Sequence, residues 1–206
     1  MIPSYPLRPS NGGPLHLARP KRGKWTYEPK INGWRAIVHA PTGRMWNRKG
    51  QRLSIEQEFA VVLEAIRNAN LPPEIEWLDC EALERRHTLG RGSLVLLDYI
   101  PAKSDTYEQR QQSLYKVLGD TLTPWPVEQI SPPEDKLLHF AYTYEDGEDP
   151  DLSPSAAWER LQSLNKLWKA EVFEGFVAKK LDSKYPRQLR SPNQETHEWI
   201  KHRWEF

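Results

Sequence analysis

The sequence predicts a mixed α+β domain, with largely antiparallel sheets and helices on their flanks. Three observations carry this expectation. Segments of strand pattern and segments of helical pattern interleave without the regular spacing of parallel βαβ units. Turn formers such as Asn32-Gly33 and Pro72-Pro73, together with 18 prolines in all, cut the chain into short pieces. Its 206 residues are enough to bury one sizeable core.

Residues 1–24 hold five prolines and no clear periodicity, so an extended N-terminal arm is expected, followed by one catalytic domain over 25–206. WTYEPK and WRAIVHA flank Asn32-Gly33, which reads as the tight turn of a hairpin, and GRMWNRKG adds another strand. Ser54 then precedes a helical run in which Ile55, Phe59, Val62, Leu63 and Ile66 share a face, and Gln57 completes a capping-box signature. Pro72-Pro73 ends that helix. EIEWLDCEAL and SLVLLDYI read as strands, the second apolar enough to be central. A second helix is expected from Tyr107 to Leu118, stopping at Gly119. PPEDK and YEDGEDPD read as a solvated acidic loop. Ser153-Pro154 places a cap and a proline at the start of a third helix, running through Leu167, with Leu161, Leu164, Leu167 and Trp168 facing inward. VFEGFVAKK and HEWIKHRW are two further strands joined by a long polar loop.

Charge and composition narrow the function. Twenty-nine Lys and Arg against 28 Asp and Glu leave a net charge of +1, so a nucleic-acid partner would have to use a local patch. Cys80 is the single cysteine, which excludes an internal disulfide framework and a thiolate metal cluster. His87, His197 and His202 show no metal-ligand spacing. No run approaches 18 apolar residues and MIPSYPLRPSNGG lacks the apolar core of a signal peptide, so a soluble, cytoplasmic protein without a membrane partner is expected.

Five clusters could form one site: EPKINGWR at 28–35, NRKG at 47–50, LDCE at 78–81, EGFVAKK at 174–180 and WIKHR at 199–203. Together they supply a primary amine, carboxylates able to hold a divalent cation, and cations suited to a polyphosphate. A lone lysine is mostly protonated at neutral pH; Lys179, Lys201 and a metal ion beside Lys30 would favour its neutral, nucleophilic form. Asp79 and Asp98, which border apolar strands, read as turn caps. Surface salt bridges are the alternative for Arg35 and Arg48, and core packing the alternative for Trp34, Trp46 and Trp199.

These clusters resemble, from about residue 25 to 204, the covalent nucleotidyltransferase superfamily, and most closely the adenylation domain of ATP-dependent DNA ligases. Glu28, Lys30, Gly33 and Arg35 match the first motif of that family, with Asn32 where the family has aspartate. Arg48 and Gly50 match the next, Glu81 the third, and LVLLDYI the one after it, with Leu97 in place of a purine-stacking aromatic residue. Glu174, Gly175 and Lys179, then Lys201 and Arg203, match the last two, and TYEQRQQSLYKVL resembles the Tyr-x-x-Arg helix start of DNA ligases.

The resemblance implies a nucleotidyltransferase fold and a reaction using ATP with Mg2+ or Mn2+. Lys30 would form lysyl-AMP, the AMP would pass to a 5′-phosphate, and a 3′-hydroxyl would then join to it on nicked DNA. It implies nucleotide contacts from Glu28, Ile31, Arg35, Arg48, Glu81, Leu97, Lys179 and Lys201, and metal contacts from Glu81 and Glu174. Arg203 would help pyrophosphate leave, and Asn32, Arg48, Lys49 and Arg52 would face nucleic acid. A monomer is expected, and the end at Phe206 leaves no length for the OB-fold that typically follows. Asn32 is expected to weaken end joining more than lysine adenylation. The alternatives are an RNA ligase, an mRNA-capping guanylyltransferase, and a degenerate nucleotide- or DNA-binding module.

Overall fold

The protein is described by a computed structural model covering residues 5–15, 22–84, 88–119, 122–125, 137–141, 143–145, 153–188 and 194–204. In chain order the strands are β1 (Tyr5–Pro6), β2 (Arg8–Asn11), β3 (Trp25–Ile31), β4 (Trp34–His39), β5 (Arg44–Asn47), β6 (Trp77–Leu83) and β7 (Ser93–Tyr99). They continue with β8 (Thr123–Trp125), β9 (Leu138–Ala141), β10 (Tyr144–Glu145), β11 (Phe173–Lys180), β12 (Arg187–Gln188) and β13 (Glu195–Arg203). The helices are α1 (Ala60–Asn68), α2 (Tyr107–Leu118) and α3 (Pro154–Trp168). No described helix is long and apolar enough to cross a membrane.

The strands form two mainly antiparallel sheets, in the orders β10-β3-β11-β13-β2 and β5-β4-β6-β7-β9-β8, and a small β1-β12 ribbon. Strand alternation gives each sheet two apolar faces. Ala36 and Val38 of β4 pack with Phe59, Leu63 and Ile66 beneath α1, while Ile37 between them points the other way, toward Tyr107, Tyr185 and Trp199. In the other sheet Phe176 and Ala178 pack under Ala157, Leu161 and Leu164 of α3, and Val177 faces Trp199. The inner faces meet on that aromatic cluster. The site lies at their edge.

The main correction concerns Asn32-Gly33. Strands β3 and β4 flank this pair but do not form a hairpin: β3 pairs with β11, and β4 with β5 and β6. The chain passes here from one sheet to the other. Neither residue has positive φ, so the backbone is not that of the tight hairpin turn. The Asn32 N–H donates to the Val172 carbonyl at 2.8 Å, and its side-chain amide to the Glu171 carbonyl at 3.0 Å. Gly33 is required by close approach: a Cβ there would lie 2.8 Å from both the Ala82 carbonyl oxygen and Glu81 Cγ.

Smaller differences have local causes. The first helical segment opens as a 3-10 turn, Glu56–Phe59, with Ile55 rather than Ser54 at its cap position and no side-chain cap, so the capping box does not form. Glu56 instead accepts from Arg52 at 3.2 Å. A capping box does form between Thr106 and Gln109 at the start of α2. Ser153 caps α3 at Ala156, but Leu167 is 58% exposed. Successive helical residues turn by about 100°, which puts Leu167 off the stripe defined by Leu161, Leu164 and Trp168. In the segment read as an arm, β2 runs parallel to β13, with Arg8 opposite Glu195, and Leu15 reaches the core under α3. PPEDK and most of YEDGEDPD lie outside the described residues.

Candidate active site

Alternation along three neighbouring strands explains the spacing of the charged residues. Glu28 and Lys30 on β3, Val177 and Lys179 on β11, and Trp199, Lys201 and Arg203 on β13 line one cleft. Arg35, Arg48, Glu81 and Leu97 line it from the side of the other sheet, and Ile31 closes the end near the sheet crossing. Its volume is about 190 Å³.

Lys30 stands near the last residue of β3 and donates to Glu174, which also forms an ion pair with Arg203 at 3.1 Å. A bulge between Phe173 and Gly175 brings that carboxylate to the amine. Gly175 has φ +134°, and a Cβ there would lie 2.0 Å from the His202 carbonyl oxygen, so only glycine fits the bulge.

Below Lys30 the charges are dry and paired. Lys179 donates to Glu28 at 2.7 Å and to the Leu97 carbonyl at 3.1 Å. Its ammonium lies 4.4 Å from the Trp199 ring centre and 4.9 Å from that of Tyr107. Tyr107 donates its hydroxyl to Glu28. Burial pushes the Glu28 carboxyl up, with Lys179 opposing. Arg35 holds Asp79 through two bonds, one of them 2.6 Å, and lies 5.7 Å from the Trp199 ring centre. Tyr185 adds a 2.7 Å bond to Asp79. Arg110 holds Asp98 through both oxygens at 2.9 to 3.1 Å. Asp79 and Asp98 are therefore buried ion-pair partners, not turn caps. Tyr-x-x-Arg is a structural device too, with its tyrosine on Glu28 and its arginine on Asp98.

The upper wall is less committed. Glu81 is half-buried, and burial pushes its carboxyl up to about 7 while Lys30 and Arg35 pull it back. Burial, then the charge of Arg8, pull Lys201 below the ordinary lysine value, with Arg203 and Lys30 adding to the effect. Glu195 is 3.8 Å from the Lys201 ammonium.

The expected residues do not all converge. Lys49 and Arg52 are exposed and do not line the cleft; Arg52 pairs with Glu56. Asn32 sits at the sheet crossing with its amide on Glu171, outside the cleft lining. Trp34 is 44% exposed, Trp46 packs on Trp77, and Trp199 is the buried floor. Sequence reasoning missed Pro6, Leu7, Arg8 and Pro9, which line the cleft from the N-terminal segment. No periodicity there announced them. Tyr185, the tyrosine of the SKYPRQLR stretch that the resemblance also covers, supports Arg35 only through Asp79.

No family model matches the chain, and no match was found among curated protein sequences. Solved structures do match. The ligase domain of M. tuberculosis LigD aligns over 97% of this chain and 59% of its own, with TM-score 0.57 and 17% identity. Chlorella virus DNA ligase-adenylate aligns over 96% and 68%, with TM-score 0.53 and 15% identity. A Lig E DNA ligase aligns over 99% and 70%, with TM-score 0.53 and 14% identity. The chain thus has the nucleotidyltransferase fold of ATP-dependent ligases, and spans about six-tenths of the length of the mycobacterial ligase domain.

Proposed function

We propose that the protein is an ATP-dependent polynucleotide ligase acting on nicked DNA, with Lys30 as its nucleophile. The observation that carries this reading is the placement of Lys30: a primary amine held by Glu174 in a cleft where Arg35, Arg48, Lys179 and Lys201 gather, on a ligase-like fold. In the first step the Lys30 Nζ lone pair attacks the α-phosphorus of ATP, the bond to the β-phosphate bridging oxygen breaks, and pyrophosphate leaves. The amine must lose a proton, and Glu174, already its hydrogen-bond partner, is placed to take it. Lys201 and Arg203 offset charge on the phosphoryl oxygens. A DNA 5′-phosphate oxygen then displaces Lys30 from the AMP phosphorus, and a 3′-hydroxyl displaces AMP to close the strand.

Among the described residues no group of three or more His, Cys, Asp or Glu side chains converges as a metal site. Glu174 is near enough to Glu81 to raise its proton affinity, and one or two carboxylates plus substrate phosphates are the usual donor set for Mg2+. These residues fit Mg2+ or Mn2+ arriving with the nucleotide, where it would neutralise phosphate charge.

Incubation with α-labelled ATP and Mg2+ tests the reading. The expected product is an acid-labile, alkali-stable adduct mapped to Lys30, abolished in Lys30→Ala. Labelling that persists in a folded Lys30→Ala protein would remove Lys30 from its role. ATP binding without any adduct would favour a nucleotide-binding module.

A further inference from the structure

The arm contributes a cation that no motif predicted. Arg8 lies on β2 and lines the same cleft as Lys30, Arg35 and Lys201. Among the described residues its guanidinium has no ion-pair or hydrogen-bond partner. The fold does not use this side chain to hold the arm. Backbone bonds do that: the Leu7 N–H donates to the Pro186 carbonyl at 2.9 Å, that of Arg8 to Gln194 at 3.0 Å, and that of Gly12 to Lys201 at 3.0 Å.

Arg8 is also near enough to Lys201 to lower its proton affinity, and more effective in this than Arg203 or Lys30. Arg48, likewise half-buried at the cleft wall, has no partner among the described residues either. Cations left without close partners in a half-buried cleft, as Arg8 and Arg48 are among the described residues, repel the other cations there, and an anion placed among them relieves the repulsion. A guanidinium is the side chain best shaped to hold two phosphate oxygens at once.

Resting on the adenylation reading above, we infer that Arg8 is a nucleotide-binding residue that grips the phosphate chain of ATP, so that the N-terminal strand forms part of the substrate site. Lys30 defines where the α-phosphorus sits. Arg8 lies on β2, directly beside β13, which carries Lys201, and this places it on the Lys201 side of the phosphates.

The test is calorimetric titration of the full chain, on a Lys30→Ala background so that no turnover occurs, with ATP and with adenosine as probes. Adding Arg8→Ala is expected to weaken ATP binding about tenfold, the worth of one charge-assisted contact, while leaving adenosine binding unchanged. Arg8→Lys should fall between the two. Adenosine is the control for a displaced arm, because Pro6, Leu7 and Pro9 line the same cleft. Equal losses for ATP and adenosine would make Arg8 a merely structural residue and overturn the inference. Unchanged ATP affinity in Arg8→Ala would overturn it while leaving the adenylation reading intact, and a parent protein that binds no ATP would overturn both.

Discussion

The floor and the rim of the cleft carry similar charges in opposite states. On the floor, Lys179 with Glu28, Arg35 with Asp79 and Arg110 with Asp98 are closed pairs, each carboxylate buried and each but Arg35 shut off from solvent on both sides. At the rim, Arg8 and Arg48 have no partner among the described residues, and Lys201 has only a distant one. Paired charges in a dry interior neutralise each other and hold geometry; unpaired charges at a wet rim are available to a ligand. Charge type alone therefore does not mark a binding residue.

The largest expected effect breaks a floor pair. Lys179→Met leaves Glu28 buried without its cation and is expected to destabilise the fold by about 3–5 kcal/mol in denaturant unfolding. Adding Glu28→Gln, which still accepts from Tyr107, should recover most of that stability without recovering lysine labelling. A double variant as unstable as the single one would show that Lys179 stabilises through packing on Trp199, not through the pair.

Lys201→Ala sharpens the comparison from the rim side. It should slow single-turnover labelling of Lys30 by about 10–100-fold, or about 1.4–2.7 kcal/mol, with an unfolding midpoint close to wild type. A large loss of stability would move Lys201 from the rim to the floor.

Glu81 belongs to the rim by exposure and to the floor by its titration. Its folded value of about 7 lies above the ordinary 4.5, so the folded state binds the extra proton. This contribution to stability is full below about pH 4.5 and is lost as pH rises through 7. With a discount for partial exposure the decline should amount to about 1–2 kcal/mol, and Glu81→Gln should flatten it in unfolding measured from pH 4.5 to 7.5.

The smallest effect concerns Asn32. Its amide donates to the Glu171 carbonyl, a bond that a carboxylate cannot make. Asn32→Asp would set two acceptors against each other at the sheet crossing, with an expected loss of about 1 kcal/mol and no gain in strand joining. Faster sealing by this variant would show that the missing carboxylate matters more than the crossing.

Much of the site was legible because strands have a period of two. Glu-x-Lys, Lys179 two residues after Val177, and Trp-x-Lys-x-Arg each put their side chains on one face, and the fold places all three faces on one cleft. The helices of α2 and α3 were legible from Gly119 and Ser153-Pro154. The sheet crossing was not, because Asn-Gly is spelled the same whether the flanking strands pair with each other or with distant partners. Strand β3 pairs with β11, and the Lys30–Glu174 bond joins residues 144 apart. Arg8 was illegible for a related reason: it reaches the cleft only because β2 lies beside β13.

That separation also sets an order of assembly. Strands β4, β5, β6 and β7 pair with near neighbours, so an emerging chain can zip these four strands of the six-stranded sheet while β11 is still unmade. Strand β3 must wait for its partner. During synthesis the Lys30 amine therefore stays on an open edge until β11 arrives to close around it. A ribosome stalled before β11 would hold a chain with Arg35 and Glu81 already set on paired strands and Lys30 still without Glu174 beside it.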